Sequence, residues 1–261
     1  MTRGGTAPGS RAPLVEIFHS IQGEGRFVGQ AMGFVRVAVC PIRCRYCDTP
    51  HSYTAAATFP VGDGATRRDE RNPVSGATAA RLALACERAS TFGTARIRAV
   101  SLTGGEPLVY PQFALELGTE LRANGVRMHL ETAALDPDAL ATVLPVVDHL
   151  SADWKSPATL TSGDPTAANL ACVALAAAGS ATIDVKLVLT ADVTLDAVRD
   201  AVSRLHPHRA RVLLILQPVT PFGAVTSRAP TALVAAAHRH ASAEGFDVRV
   251  VPQLHKQLGV E

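Results

Sequence analysis

The chain reads as an α/β protein, an incomplete parallel barrel of the (β/α)6 type, and three observations predict it. Seven apolar runs of strand length recur at fairly regular intervals, each nearly continuous rather than alternating, and Ala/Leu-rich stretches with helical spacing separate them. Strands buried on both faces and alternating with helices are the pattern of a parallel sheet covered by helices. Six or seven such units are too few to close an eight-stranded barrel and suit a partial one.

In chain order the strands are expected around Phe34 to Val39, Ile97 to Leu102, Val126 to Leu130, His149 to Ala152, Ile183 to Leu189, Val212 to Leu216 and Val248 to Val251. The helices are expected around Thr78 to Ala89, Pro111 to Ala123, Pro137 to Leu144, Pro165 to Ala178, Leu195 to Leu205 and Pro230 to Ala243. Gly125, Gly179 and Gly245 each fall between a helix and the next strand, where a left-handed cap is expected. Residues 1–12 are polar and Gly-rich, with no apolar stretch of the secretory type, and read as a flexible N-terminus. Residues 13–261 read as a single domain, with a loop insertion at 55–77 that is rich in Gly, Pro, Arg and Asp and has no period.

Composition bounds the function. With 261 residues, 47% of them hydrophobic, the chain can bury one sizeable core, and no apolar run approaches membrane-spanning length. A cytoplasmic protein without a membrane partner is the expectation. The formal net charge is +2, Lys occurs only at 155, 186 and 256, and no basic tail or aromatic-basic stripe marks a nucleic-acid surface.

Cys40, Cys44 and Cys47 stand in the run Cys40-Pro41-Ile42-Arg43-Cys44-Arg45-Tyr46-Cys47-Asp48. Three close thiolates without a fourth can hold three irons of a cubane iron-sulfur cluster and leave the fourth iron open to a small molecule. A structural zinc site usually takes four ligands, commonly as two separated pairs. No second pair follows, but His51 offers a fourth ligand, so a non-enzymatic zinc module is the alternative from spacing. A disulfide framework fits worse, because five Cys is an odd number and the chain can build a core without staples. Cys86 and Cys172 lie in helical, Ala/Leu-rich stretches and read as buried small hydrophobes.

The other polar motifs share a position. Thr103-Gly104-Gly105-Glu106-Pro107, Glu131-Thr132, Asp153-Trp154-Lys155 and Gln217-Pro218 each come at or just after the end of an expected strand. In parallel barrels the loops leaving those ends gather on one face and build the site. Asp184 and Lys186, two apart on one strand, share a face and are expected to pair with each other if that face is the interior.

Tyr46 before the last Cys, and a Gly-Gly-Glu run one strand and one helix later, give the chain the form of radical S-adenosylmethionine enzymes, and it resembles that superfamily. The resemblance implies a [4Fe-4S] cluster on Cys40, Cys44 and Cys47, with S-adenosylmethionine chelated at the open iron. It also implies that Gly104, Gly105 and Glu106 bind the methionine amino group and that Tyr46, Gln217 and Pro218 line the cofactor site. Asp153, Trp154 and Lys155, at the end of an expected strand, are read as lining the adenosyl or carboxylate end of the cofactor, the alternative being that Trp154 packs beneath the barrel rim with Asp153 and Lys155 solvated.

The N-terminal segment narrows the family. Glu16-Ile17-Phe18-His19-Ser20-Ile21-Gln22-Gly23-Glu24-Gly25, then Gly29, Phe34 and Arg36, with Asp48-Thr49 after the last Cys, resembles the 7-carboxy-7-deazaguanine synthase family. The likeness runs from about residue 14 through the tail His255-Lys256, apart from the insertion. It implies a lyase of 7-deazapurine and queuosine-type biosynthesis that turns 6-carboxy-5,6,7,8-tetrahydropterin into 7-carboxy-7-deazaguanine with loss of ammonia. It further implies substrate contacts at Ile21, Gln22, Gly23, Glu24, Arg36 and Thr103, a Mg2+ ligand at Thr49, an electron donor such as flavodoxin or ferredoxin, and a homodimer. Two departures stand out: Ala133 and Ala134 replace an asparagine and glycine common after the Glu-Thr pair, and Asp153-Trp154-Lys155 replaces serine-proline-lysine. A glycyl-radical-enzyme activase, which shares the Cys run but does not need the N-terminal motif, is the enzymatic alternative.

Overall fold

A computed structural model of the chain describes residues 10–62, 67–86, 98–222 and 224–259. Its strands are β1 (Arg11–Ala12), β2 (Leu14–Ile21), β3 (Ala31–Val37), β4 (Thr58–Val61), β5 (Arg68–Arg71), β6 (Val74–Ser75), β7 (Ala99–Gly104), β8 (Arg127–Thr132), β9 (His149–Trp154), β10 (Thr182–Leu189), β11 (Val212–Pro218) and β12 (Asp247–Val250). The helices are α1 (Gly76–Cys86), α2 (Pro111–Ala123), α3 (Pro137–Val143), α4 (Thr166–Ala177), α5 (Leu195–Leu205), α6 (Thr231–Ala243) and α7 (Leu254–Leu258).

Ten strands form one sheet in the order β12-β11-β10-β9-β8-β7-β3-β2-β4-β5. From β3 to β12 every neighbouring pair is parallel. Six strand–helix units follow one another, β3-α1, β7-α2, β8-α3, β9-α4, β10-α5 and β11-α6, which is the expected partial barrel with β12 added at one edge. The bounds of these strands and helices hold to within a few residues of expectation; Ile97 and residues 87–89 of the first helix lie outside the described residues.

Three expectations change. The segment 14–21 is a strand, antiparallel to β3, which places the N-terminal motif at the barrel rim. Much of 55–77 is built rather than loop: β4 joins β2, β5 pairs with β4, and β6 pairs with β1, so Arg11 and Ala12 are also tied down. Asn72 holds this excursion by exchanging two 2.8 Å hydrogen bonds with the backbone of Leu14. The edge strand β5 reads Arg-Asp-Glu-Arg, and charge of that density discourages pairing with another sheet edge. Finally, Gly125 and Gly245 are left-handed, with φ of 69° and 83°, but Gly179 is not. Helix α4 ends instead on Ala178 at φ −78°, and the Gly179 N–H donates to the Ala176 carbonyl.

Side-chain alternation along the parallel strands divides the molecule into an outer core and an inner lining. Leu150, Ala152 and Trp154 of β9, Ile183, Val185 and Leu187 of β10, and Leu214 and Leu216 of β11 join the apolar core under the helices. Helix α2 contributes Phe113, Leu117 and Leu121 at four-residue spacing, each side chain stabilising by about 1.5–3 kcal/mol on full burial. Cys86 and Cys172 are buried in α1 and α4, as expected of small hydrophobes. The alternate residues Ser151, Asp184 and Lys186 are also buried, yet polar, and Asp153 on the same phase is half-buried.

Candidate active site

A cavity of about 430 Å3 opens at the carboxyl ends of these strands. Its first wall is the loop after β3. Val39 takes a left-handed φ of 72°, its N–H donates to the Ser52 carbonyl at 2.7 Å, and the chain then turns through the three cysteines. The Arg43–Arg45 stretch is fixed against the segment after β9: Arg45 N donates to Thr159 O at 2.9 Å and Thr161 N to Arg43 O at 3.1 Å. Cys40, Cys44 and Cys47 are free thiols, half-buried, and all three line the cavity. Burial pushes the Cys40 and Cys44 thiols up, and the Lys155 ammonium partly offsets this at Cys44. Among the described residues no three His, Cys, Asp or Glu side chains converge on the position of a single ion. A cubane does not require that convergence, since its irons occupy separate corners.

The second wall is the turn after β7. Gly105 N donates to Val37 O at 2.8 Å and Glu106 N to Val39 O at 2.9 Å, so the Gly-Gly backbone lies directly against the strand leading to Cys40. Gly104 and Gly105 line the cavity; Glu106 does not. Its buried carboxylate accepts from Leu108 N at 2.9 Å, Thr132 Oγ1 at 2.5 Å and Ala133 N at 2.7 Å, binding the turn to the end of β8. Burial pushes the Glu106 carboxyl up despite those donors.

Asp153 and Lys155 also face the cavity, while Trp154, one residue out of phase, packs into the core under the helices. Lys155 Nζ donates to Asp153 Oδ2 at 2.7 Å and to the Tyr46 hydroxyl at 3.2 Å. Burial disfavours the ammonium, but Asp153 and Tyr46 more than offset it and hold Lys155 above its ordinary range. Burial likewise opposes the Asp153 carboxylate, and Lys155 and Lys186 together pull it below its usual value. Asp184 and Lys186 do not pair as expected. Asp184 takes Arg26, through its N–H and Nε at 2.8 Å each, and lies 3.4 Å from His149; Lys186 takes Glu24 and Asp153. The β2–β3 loop carrying Glu24 and Arg26 reaches into the barrel and supplies the opposite charges.

That loop is the third wall. Gln22 N donates to Gln30 O at 2.7 Å and Gly29 N to Gln22 O at 2.8 Å, closing the loop on itself. Ile21, Gln22, Gly23 and Glu24 line the cavity, with Arg36 and Thr103 beside them. Gln22 Nε2 donates to Glu131 Oε1 at 2.6 Å, and Ser101 and Thr103 hydroxyls donate to the same carboxylate at 2.9 and 3.3 Å. Arg36 Nε donates to Glu16 at 2.6 Å, which leaves its terminal nitrogens for a ligand. On the far rim Gln217 is buried with Oε1 unpartnered, whereas Pro218 is absent from the lining. Thr49 lines the cavity with Oγ1 3.9 Å from Cys47 Sγ.

Helix α7 closes the site from the tail. Leu254 N donates to Gly23 O at 2.9 Å, and Lys256 and His255 lie 3.2 and 3.8 Å from the Asp48 carboxylate. Burial raises Asp48, but His255 and Lys256 outweigh it and hold the carboxyl below its usual range. Asp48, Lys186 and Gln253 line the cavity without being among the site residues expected from the sequence. The one available signal was charge on the interior phase of an apolar strand, at Lys186. Glu131, noted in a motif, becomes the acceptor that joins β7, β8 and the N-terminal loop.

A model of the Radical SAM superfamily matches residues 35–159. The 7-carboxy-7-deazaguanine synthase of Methanopyrus kandleri is 34% identical over 268 residues, covering 97% of this chain and 95% of that protein. The synthase of Geobacter sulfurreducens is 30% identical, covering 95% and 97%. Among solved structures, QueE from Escherichia coli aligns with a TM-score of 0.59 at 19% identity over 94% of this chain and 95% of its own, a likeness of fold. With the Cys run, the Gly-Gly-Glu turn and the N-terminal motif meeting in one cavity, and with relatives matched over nearly their full length, the chain belongs to the 7-carboxy-7-deazaguanine synthase family of radical S-adenosylmethionine enzymes.

Proposed function

We propose that the protein converts 6-carboxy-5,6,7,8-tetrahydropterin to 7-carboxy-7-deazaguanine with release of ammonia. The observation that carries this reading is that three free thiols line the same cavity as the Gln22–Glu24 loop, Arg36 and Thr103. A [4Fe-4S] cluster on Cys40, Cys44 and Cys47, with S-adenosylmethionine bound to it, would supply radical chemistry in this cavity. The donor set fits such a group, being three half-buried free thiols that line one cavity.

The residues of the chain divide the remaining work. Gly104 and Gly105 would hold the methionine end of the cofactor, and Tyr46, Asp153 and Lys155, which line the same cavity, would bound the rest of it. Glu106 acts through the turn it caps. Arg36 offers guanidinium N–H donors to the substrate carboxylate, and Ile21 to Glu24 read the amide and amino edge of the pterin. Thr103 hydrogen-bonds the ring, and Thr49 contributes one oxygen to a Mg2+ that completes its shell with water and substrate. An external one-electron donor such as flavodoxin or ferredoxin, and a homodimeric assembly, belong to this reading. A glycyl-radical activase has no use for the Gln22–Glu24 loop and Arg36 as pterin-reading residues.

The test is anaerobic mixing of reconstituted protein, dithionite, S-adenosylmethionine and the pterin. The deazaguanine product is expected, in amounts that depend on the pterin. Cofactor cleavage without that product removes the substrate assignment.

A further inference from the structure

Lys186 is the buried charge that sequence reasoning misplaced. Its residue is 6% exposed, it stands on β10 between the apolar strands β9 and β11, and its ammonium meets two carboxylates. Glu24 Oε2, from the β2–β3 loop, is one; Asp153 Oδ1, at 3.0 Å, is the other. A buried ammonium is tolerated only with such countercharge, so the three groups form one unit.

The unit fixes Glu24 in particular. Glu24 Oε1 accepts from Gln253 Nε2 at 2.9 Å, Gln253 Oε1 accepts from Thr220 N at 3.1 Å, and Glu24 N donates to Gln22 Oε1 at 3.1 Å. Both carboxylate oxygens are therefore oriented, one by Lys186 and one by Gln253, and all three side chains belong to residues that line the cavity. An ionised carboxylate has about four lone-pair sites, so each oxygen keeps acceptor capacity for a ligand. Two adjacent N–H donors on a flat heterocycle match a carboxylate held at a set angle.

We propose that Lys186 is a positioning residue for substrate recognition, holding the Glu24 carboxylate at the angle from which it accepts the amino and ring N–H donors of a pterin. The proposal rests on the pterin reading above. Lys186 lines the same cavity, and its role in the proposal is exerted through Glu24. Asp153 sets where Lys186 stands, because its second oxygen is already taken by Lys155.

Equilibrium dialysis tests this, on anaerobically reconstituted protein with the cluster left oxidised, using 6-carboxytetrahydropterin as the probe and no turnover. Lys186→Met is expected to weaken pterin binding by at least about tenfold, the scale of one lost charge-assisted hydrogen bond. Lys186→Arg restores most of the affinity. Glu24→Gln weakens binding as well, and the double variant binds no more weakly than the weaker single one, because both act at one carboxylate. Should Lys186→Met fail to fold, Lys186→Gln serves in the same comparison. Unchanged affinity in the Lys186 variant, or losses that multiply in the double variant, overturns the positioning role while leaving the reaction intact. No pterin binding by the unaltered protein overturns both.

Discussion

Replacing Gly104 with Ala tests how tightly the Gly-Gly turn is built against the strand that leads to the cysteines. Gly104 has φ +126°, a conformation in which an L side chain is strained by about 1–3 kcal/mol. A Cβ there would stand 2.4 Å from the Val37 carbonyl oxygen and 2.5 Å from its nitrogen, both backbone atoms that cannot rotate away. Relieving such an overlap costs about 1–3 kcal/mol more. The two effects are separate, so Gly104→Ala should lose about 2–6 kcal/mol, or at least about 4 °C in Tm for a chain of this size. Urea unfolding of the variant beside the unaltered protein measures it. Because Val37 lies three residues before Cys40, the iron content after reconstitution should fall as well. A Gly104→Ala protein within about 0.5 kcal/mol of the original would refute the close-approach argument.

Cys44→Ala should leave a folded barrel with no cofactor cleavage, since Cys44 lies at the cavity wall outside the apolar core; retained cleavage would show that the ligand set is wrong. Burial, with His149 and Lys186 nearby, holds the His129 imidazole well below its ordinary value of 6.5, so the folded protein keeps it neutral. The unfolded chain gains that proton as pH falls through about 6.5 and the folded one does not, so stability should drop below that pH, by at most about 1.4 kcal/mol per pH unit from this group. Urea midpoints at about pH 7.5 and 5.5 measure it, and His129→Gln should show the smaller difference; equal differences would contradict the buried neutral state.

The parallel half of the fold was legible because strands buried on both faces leave long apolar runs, and β7 to β11 fall close to where those runs stand. The strand β2 was not, since Glu16, His19 and Ser20 interrupt its apolar residues and its partner β3 is needed to make sense of them. The β4–β5 excursion is held by pairing and by Asn72, neither of which has a local signature. At the site, the three cysteines and the Gly-Gly turn were read from spacing and fell into one cavity. The roles of Trp154, Glu106 and Lys186 depend on strand phase and on partners far away in sequence. Trp154 lies one residue out of phase with the lining. Glu106 faces Thr132 and Ala133 on the next strand. Lys186 answers Glu24, which is 162 residues away and comes near only because the N-terminal loop enters the barrel.

The central claim is that one cavity joins radical generation to contraction of a pterin ring. A six-membered ring with two nitrogens that becomes a five-membered ring with one must release a nitrogen. The most direct measurement is anaerobic turnover of 6-carboxytetrahydropterin carrying 15N at both nitrogens of its saturated ring, read by mass spectrometry of product and ammonium. The account predicts one labelled ammonium for each 7-carboxy-7-deazaguanine, which keeps the other label. Cleavage of S-adenosylmethionine with the pterin recovered doubly labelled and unchanged would contradict it.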